Sequence, residues 1–378
     1  MKLQRKNRLR ATALGALAVS GALVLTACGS DDNSGGSTGG NGGKTSAASN
    51  IKCDDAKGQL PASGSSAQKN AMDVWAKNYM AGCDGVEINY KSSSSGEGIV
   101  AFNQGTVGFA GSDSPLKPEE VAESKKICKG GQGIGLPMVG GPIAIGYHLE
   151  GVDSLVLDAP TLAKIFDGKI TKWNDQAIAK LNSGAKLPDK AIQPFHRSED
   201  SGTTQNLGKY LGAAAPSDWK YEAEKKWPAP KGQAASGSSG VAAQVKQVDG
   251  AIGYFELSYA TSQSISTVDI ATGGSAPVKA TSENASKAIA AAKITGTGKD
   301  LSLELDYTTK AEGAYPIVLV TYEIVCDKGN KAETLPTVKS FLNYTASDEG
   351  QKLLTEAGYA PIPAEINAKV RETIASLS

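Results

Sequence analysis

Strand-like and helix-like segments alternate along this chain from Cys53 onward. Within residues 68–80, apolar side chains recur every three or four positions, as on one face of a helix. Residues 86–90 alternate apolar and polar side chains instead, as a half-buried strand does. This alternation predicts an α/β fold with largely parallel sheets covered by helices. Because one sheet layer rarely extends over 300 residues, we expect two lobes.

Further elements follow from the same periodicities. The segment 317–325 has apolar residues on both faces and predicts a strand buried on both faces, and another strand is expected after Gly140 and Gly141. The remaining predicted helices cover 98–103, 161–166, 175–181, 203–211 and 240–247, and the predicted strands cover 107–110, 143–147, 251–255 and 317–325.

The N-terminus has the features of a targeting segment. Five basic residues precede a weakly apolar run from Ala11 to Val24, and a run so short and rich in Ala and Gly is typical of a signal peptide. The sequence Leu-Thr-Ala-Cys at 25–28 resembles a bacterial lipobox, in which Cys28 carries the lipid. We therefore expect a signal peptide at 1–27 and lipidation at Cys28; ordinary cleavage after Ala27 is the alternative.

Residues 28–50 form the next predicted segment. After Cys28 they are almost all small or polar, so they cannot bury apolar surface and are expected to be a flexible tether that reaches about 25 Å. The chain after residue 27 keeps 34 basic residues against 39 acidic ones, a formal charge of −5, because all five residues removed with the signal peptide are basic. Binding of nucleic acid or anionic lipid by bulk charge is therefore not expected.

Four cysteines follow the tether, at positions 53, 83, 128 and 326. An even number in an exported domain predicts two disulfides, for which three pairings are possible. We favour Cys53–Cys83 and Cys128–Cys326; buried free thiols are the alternative. No CxxC spacing occurs and the chain has two histidines, so neither a metal site nor a cofactor is predicted.

Three places share one local design, in which small residues with hydroxyl groups directly precede a predicted helix. A helix N-terminus offers unpaired N–H donors and a partial positive charge, while Gly and Ser allow an anion to approach closely. Plain N-capping by Ser is the alternative at each place. The three segments are Gly64-Ser-Ser-Ala67, Ser94-Ser-Gly-Glu-Gly98 and Asp200-Ser-Gly-Thr-Thr204.

Four longer motifs give the chain a family resemblance. They are Val107-Gly-Phe-Ala-Gly-Ser-Asp-Ser-Pro115, Phe166-Asp-Gly-Lys-Ile-Thr-Lys-Trp-Asn-Asp175, Arg197-Ser-Glu-Asp-Ser-Gly-Thr203 and Gly250-Ala-Ile-Gly-Tyr254. In this order they resemble the phosphate-binding subunit of Pst-type ABC phosphate transporters, from about Leu60 to the C-terminus. The resemblance implies a two-lobed class II periplasmic-binding-protein-like fold with a hinge and an interlobe ligand cleft.

The resemblance also implies the ligand set. The residues expected to bind phosphate are Ser65, Ser66, Ala67, Ser95, Asp113, Arg197, Ser201, Gly202 and Thr203. Ala67 and Glu97 depart from the family pattern: Ala67 can contribute only its backbone N–H, and Glu97 must point to solvent for the second segment to accept an anion. Glu199 is the natural partner of Arg197, whereas His196 and Trp173 are expected to be structural.

We expect lobe I to comprise 51–140 and 315–378 and lobe II to comprise 141–314, with the hinge near Gly140 and Tyr315. By the same resemblance, the protein is expected to be a lipid-anchored monomer outside the cytoplasm that delivers inorganic phosphate to the permease and ATPase subunits of an ABC importer. A receptor for sulfate, molybdate or arsenate and a surface antigen or signalling receptor are the alternatives. A phosphoesterase would need a metal cluster or an activated nucleophile, neither of which the sequence offers.

Overall fold

The structure is a computed structural model that describes residues 51–378. The predicted signal peptide, the lipidation site Cys28 and the tether lie outside the described residues. Within them, no helix has both the length and the apolar character needed to cross a membrane.

Strands and helices alternate over most of the described chain, as the sequence predicts. The strands are β1 Gly58–Ser65, β2 Val86–Ser93, β3 Phe109–Ser112, β4 Gly133–His148, β5 Val156–Asp158, β6 Gln193–Arg197, β7 Gln233–Ala235, β8 Ala251–Glu256, β9 Ser266–Thr267, β10 Asp269–Ala271, β11 Lys293–Ile294, β12 Leu303–Glu304 and β13 Val318–Cys326. The helices are α1 Lys69–Gly82, α2 Ser95–Asn103, α3 Pro118–Ser124, α4 Ala159–Phe166, α5 Gln176–Leu181, α6 Gly202–Ala214, α7 Gly237–Gln247, α8 Leu257–Gln263, α9 Ser282–Ile289, α10 Leu335–Thr345, α11 Asp348–Glu356 and α12 Ala364–Ala375.

One long sheet path organises the molecule, in the order β2-β1-β3-β13-β4-β8-β6-β7, with β9 beside β4. The 16-residue strand β4 joins the two ends of this path. Its first part pairs with β13, and its last part, from Ile143, pairs with β8. Gly140 and Gly141 therefore lie inside a continuous strand, at the point where it passes from one set of partners to the other.

The expectation of largely parallel sheets is correct at the two ends of the path and wrong in its middle. β1 pairs in parallel with β2 and β3, and β6 pairs in parallel with β7 and β8. At the centre, β13 is antiparallel to β3 and β4, and β4 is antiparallel to β8. Every residue of β13 is buried, which explains why apolar residues occupy both of its faces.

Helix α1 shows how packing follows the apolar period. Its buried residues include Ala71, Met72, Trp75 and Tyr79, which recur at three- and four-residue spacing. The Trp75 indole N–H donates to the carbonyl of Gly350, so α1 is held against α11. This packing fixes the start of α1 at the end of β1, where the first hydroxyl-rich segment lies.

Both favoured disulfides are present, which confirms the pairing. Cys53–Cys83 ties the chain before β1 to the end of α1. Cys128–Cys326 joins the loop before β4 to the end of β13.

Part of the segment between α9 and β13 contacts strands β4 and β13. The N–H of Leu301 donates to the carbonyl of Gly135, and the N–H of Leu303 donates to the Tyr322 hydroxyl. Leu301 is also buried in the same core as Trp75 and Val325. Residues 301–303 therefore contact Gly135 and Tyr322 of the expected lobe I, although the expected boundary assigns them to lobe II.

Candidate anion-binding site

The first hydroxyl-rich segment lies between β1 and α1 and is buried. Ser66 Oγ accepts the N–H of Ser238 at 2.9 Å and lies 3.2 Å from Ser238 Oγ. The Ser65 hydroxyl accepts the N–H of Ala67 at 3.1 Å. The Tyr259 hydroxyl donates to the carbonyl of Ser66 and so holds the backbone of the segment in place. Ser66 thus contacts another part of the chain, and the Ser65 side chain is likewise a hydrogen-bond partner of Asp113.

The second segment starts α2, where Ser94 caps the helix by accepting the N–H of Glu97. Ser95 Oγ accepts the N–H of Asp113 at 3.1 Å and the N–H of Gly202 at 3.2 Å. It therefore joins two further parts of the predicted site. Glu97 is exposed, as expected, so its carboxylate does not enter the site.

Asp113 follows β3 and is 2% exposed. Its Oδ2 accepts the Thr203 hydroxyl and its Oδ1 accepts the Thr321 hydroxyl, each at 2.9 Å. Burial raises the pKa of Asp113, while hydrogen bonds from nearby hydroxyl groups and the charge of Arg197 oppose the rise. Each carboxylate oxygen has a second lone pair, so Asp113 can still accept a proton from a ligand.

Arg197 ends β6 and is buried to the same degree as Asp113. Its Nε donates to Glu199 Oε1 at 2.6 Å, and a second guanidinium nitrogen pairs with the same oxygen. Burial pushes the pKa of Glu199 up, but the charge of Arg197 and several hydrogen bonds outweigh it and hold that pKa below its usual value. The remaining nitrogen, NH1, lies 3.5 Å from Thr203 Oγ1 and 3.4 Å from Ser238 Oγ, among the hydroxyls.

The third segment starts α6. Ser201 caps this helix by accepting the N–H of Thr204 at 3.3 Å, which is the capping role considered as the alternative. Gly202 is the residue of closest approach, because a Cβ there would lie 2.7 Å from both Asp113 Cβ and Ser95 Oγ. Only glycine fits at this contact.

Two residues of the cluster were not identified from the sequence. Ser238 belongs to the Gly- and Ser-rich stretch 236–240, which shows the same design of small hydroxyl residues before a helix, here α7. Thr321 lies within the apolar run of β13, where its only signal is a hydroxyl at a fully buried position.

The neighbouring aromatic residues are structural, as expected. His196 stacks on Trp227 with ring centroids 5.0 Å apart and an interplanar angle of 8°. The Trp173 indole N–H donates to the carbonyl of Gly250 and so joins two of the sequence motifs. Among residues 51–378, neither side chain has a hydrogen bond to the hydroxyl groups of the site.

The structure thus gathers donors around one acceptor. The hydroxyls of Ser66, Ser95, Thr203 and Ser238, the N-termini of three helices and the Arg197 guanidinium surround or adjoin the Asp113 carboxylate, whereas the nearby Glu199 carboxylate is paired with Arg197. Such a set suits a small tetrahedral oxyanion that carries a proton. Within residues 51–378, no group of three metal-ligating side chains accompanies it.

Comparison with known proteins agrees with this architecture. The family model of the PBP superfamily domain matches residues 52–349. The phosphate-binding protein PstS 3 of Mycobacterium tuberculosis is 42% identical over the whole of both chains. PstS 2 of the same organism is 41% identical over 98% of this chain and 99% of its own.

Solved structures extend the likeness at lower identity. A high-affinity periplasmic phosphate-binding protein (PfluDING) bound with phosphate is 21% identical, with a TM-score of 0.69 over 83% of this chain and 93% of its own. The phosphate-binding protein of Stenotrophomonas maltophilia is 20% identical, with a TM-score of 0.65 over the same shares. At this identity these structures bear on the fold alone, and they confirm the two-lobed α/β class. From the full-length match to the mycobacterial proteins, the chain belongs to the PstS family of phosphate-binding proteins within the PBP superfamily.

Proposed function

We propose that this protein binds inorganic phosphate outside the cytoplasm and delivers it to an ABC-type phosphate importer. The observation that carries the proposal is the buried carboxylate of Asp113 within a cluster of hydroxyl and guanidinium donors. Relatives that match over the whole chain are named phosphate-binding proteins, which supports the same ligand. The protein carries out no chemical step, in keeping with its family of solute-binding proteins.

The ligand set consists of the nine residues named from the sequence, held between two lobes. Three contacts support this arrangement: Ser66–Ser238, Ser95–Gly202 and Asp113–Thr203 each join a residue of proposed lobe I to one of proposed lobe II. Phosphate would therefore lie where the two lobes meet. All nine residues come from one chain, so a monomer suffices for binding.

A reciprocal pair of salt bridges supports closure of the same cleft. Lys117 in the proposed lobe I pairs with Glu224 in lobe II at 2.7 Å, and Glu120 in lobe I pairs with Lys225 in lobe II at 2.8 Å. Because each lobe supplies one cation and one anion, the two bridges favour a single closed register over its alternatives.

Calorimetry of purified, phosphate-free protein tests the ligand. We expect one saturable site for phosphate, and a melting temperature that rises with phosphate concentration, because the ligand binds only the folded state. Sulfate and a phosphomonoester serve as controls and should give neither signal. Identical melting curves with and without millimolar phosphate would refute phosphate binding.

The importer partners and the membrane anchor complete the proposal. The permease and ATPase subunits would receive phosphate from the closed protein at the outer face of the membrane. Cys28 would carry the lipid that keeps the protein there, since several acyl chains at about 0.8 kcal/mol per buried CH₂ hold a protein without a spanning helix.

The anchor is tested by changing its attachment site. Cys28→Ala should release the protein from membranes or leave it unprocessed, because no thiol remains to accept the lipid. Membrane fractionation with intact-mass spectrometry measures both outcomes, and Cys28→Ser serves as a second variant of closer size. A mature wild-type protein without added lipid mass would contradict the anchor.

A further inference from the structure

Ser238 is, with Thr321, one of the two buried hydroxyl residues at the site that were not identified from the sequence. It lies at the start of α7, is 0% exposed, and contacts residues from two predicted parts of the site. Its N–H donates to Ser66 Oγ, and its own Oγ lies 3.2 Å from Ser66 Oγ and 3.4 Å from Arg197 NH1. It therefore sits between the first hydroxyl-rich segment and the guanidinium.

The directions of these bonds leave one proton unused. Ser66 Oγ accepts the Ser238 N–H, and its own hydroxyl proton is donated to Ser238 Oγ. Arg197 NH1 also donates to Ser238 Oγ, so this oxygen accepts twice. A serine hydroxyl has two lone pairs and one O–H donor. Among the described residues, the Ser238 hydroxyl proton has no acceptor, although the side chain is fully buried.

The start of α7 is also fixed against the guanidinium by a separate contact. The N–H of Gly237 donates to Glu199 Oε1 at 3.0 Å, the same oxygen that holds the guanidinium of Arg197. Gly237 has a φ of +67°, a conformation that glycine adopts without the strain of a Cβ. Glu199 thus fixes the position of the Arg197 guanidinium relative to the start of α7. Ser238, the next residue of α7 after Gly237, is held beside the guanidinium by the same contacts.

We propose that Ser238 is a further phosphate-contacting residue, whose hydroxyl donates to a phosphate oxygen beside Ser66 and Arg197. This inference rests on the proposed function and adds α7 to the helix starts that face the anion. A buried donor without an acceptor is costly, whereas a hydrogen bond to a charged group is among the stronger ones. The anion is the acceptor that residues 51–378 do not supply.

The role assigned to Ser238 differs from that of Asp113. Its hydroxyl donates to any oxyanion of this shape, whether or not the oxyanion carries a proton. Loss of this donor should therefore weaken phosphate and arsenate equally and leave their ratio unchanged. Selectivity against sulfate should also stay, since it depends on an acceptor.

Ser238→Ala tests the contact, with Ser239→Ala as the matched control on the same helix turn, because Ser239 is exposed. Ser238→Ala should raise the phosphate Kd about 10- to 100-fold, the range for a hydrogen bond to a charged group. Ser239→Ala should change it less than twofold. Calorimetry gives both constants, and melting without phosphate shows whether each variant folds.

The same substitution made in a Ser66→Ala protein distinguishes two roles of Ser238: direct contact with the anion, and orientation of the Ser66 side chain. If Ser238 acts only by orienting Ser66, then Ser238→Ala should cost nothing further in a Ser66→Ala protein. A contact with phosphate instead predicts a further loss of at least fivefold. Equal affinities of Ser66→Ala and the double variant would overturn the inference, as would a wild-type affinity in Ser238→Ala. Absence of phosphate binding by the wild type would instead refute the proposed function itself.

Discussion

Replacing Arg197 with methionine should weaken phosphate binding by roughly 30- to 4,000-fold. The change removes a buried, charge-assisted donor and leaves the Glu199 carboxylate beside the ligand without its cation. Breaking one partner of such a pair costs about 2–5 kcal/mol, which gives this range at 1.4 kcal/mol per tenfold. Methionine keeps most of the side-chain volume, so the loss should appear in the phosphate Kd measured by calorimetry.

Two further variants separate the lost donor from the new repulsion. Arg197→Met with Glu199→Gln removes the uncompensated carboxylate, so it should recover part of the loss. Arg371→Met is the matched control, because the Arg371 side chain is 41% exposed on α12. If Arg197→Met binds phosphate within threefold of the wild type, Arg197 does not contact the anion.

The sequence predicts the site well where one local rule applies. Each hydroxyl-rich segment does precede a helix, and Ser66, Ser95 and Thr203 come together as expected. The same rule applies to residues 236–240, yet low complexity conceals Ser238 there. Thr321 is a different case, since only the pairing of β13 with β3 brings it to Asp113.

The fold is less predictable where non-local pairing decides it. An apolar run shows that β13 is buried but carries no information on strand direction, so the antiparallel centre could not be predicted. Helices α10 to α12 have no counterpart among the predicted helices. Polar residues such as Thr337, Ser340 and Asn367 occupy buried positions in them, which weakens the apolar period.

Buried carboxyl groups are a further feature that only the structure shows. Glu256 and Glu323 are both 0% exposed, and burial raises the pKa of each to about 8. From the sequence each is an ordinary acidic residue inside a strand. Both side chains therefore hold a proton near neutral pH. Asp113 differs from them, because hydroxyl groups donate to both of its oxygens and so favour its ionised form.

We expect that difference to decide which oxyanion the site accepts. Phosphate near neutral pH carries at least one proton, and its P–OH can donate to an Asp113 oxygen. Sulfate carries no proton, so the carboxylate would face a dianion at hydrogen-bonding distance. Sites built around such a bond reject the analogue that lacks it by roughly 10⁴–10⁵-fold. We therefore expect sulfate not to compete detectably with phosphate, whereas arsenate, which is protonated like phosphate, should compete.

Asp113→Asn tests this explanation, because an amide can donate to sulfate and carries no charge. The variant should lower the ratio of phosphate affinity to sulfate affinity, mainly because sulfate binds more tightly. Competition calorimetry would measure both affinities. Thr321→Val is the control, since it removes a hydroxyl from the same carboxylate and keeps the charge. Wild-type protein that binds sulfate within tenfold of phosphate would show that Asp113 is not the discriminator.

Lowering the pH should increase sulfate binding by the wild-type protein, as Asp113→Asn is expected to do. The pKa of Asp113 is raised by burial, so a proton returns to it at a higher pH than to an exposed aspartate. The exclusion of sulfate should be complete above that pKa and should weaken as the pH falls through it, because the protonated acid becomes a donor. Asp113→Asn has no proton to gain at this position, so its sulfate affinity should vary much less over the same range. Parallel pH profiles for the two proteins would place the origin of sulfate exclusion elsewhere in the site.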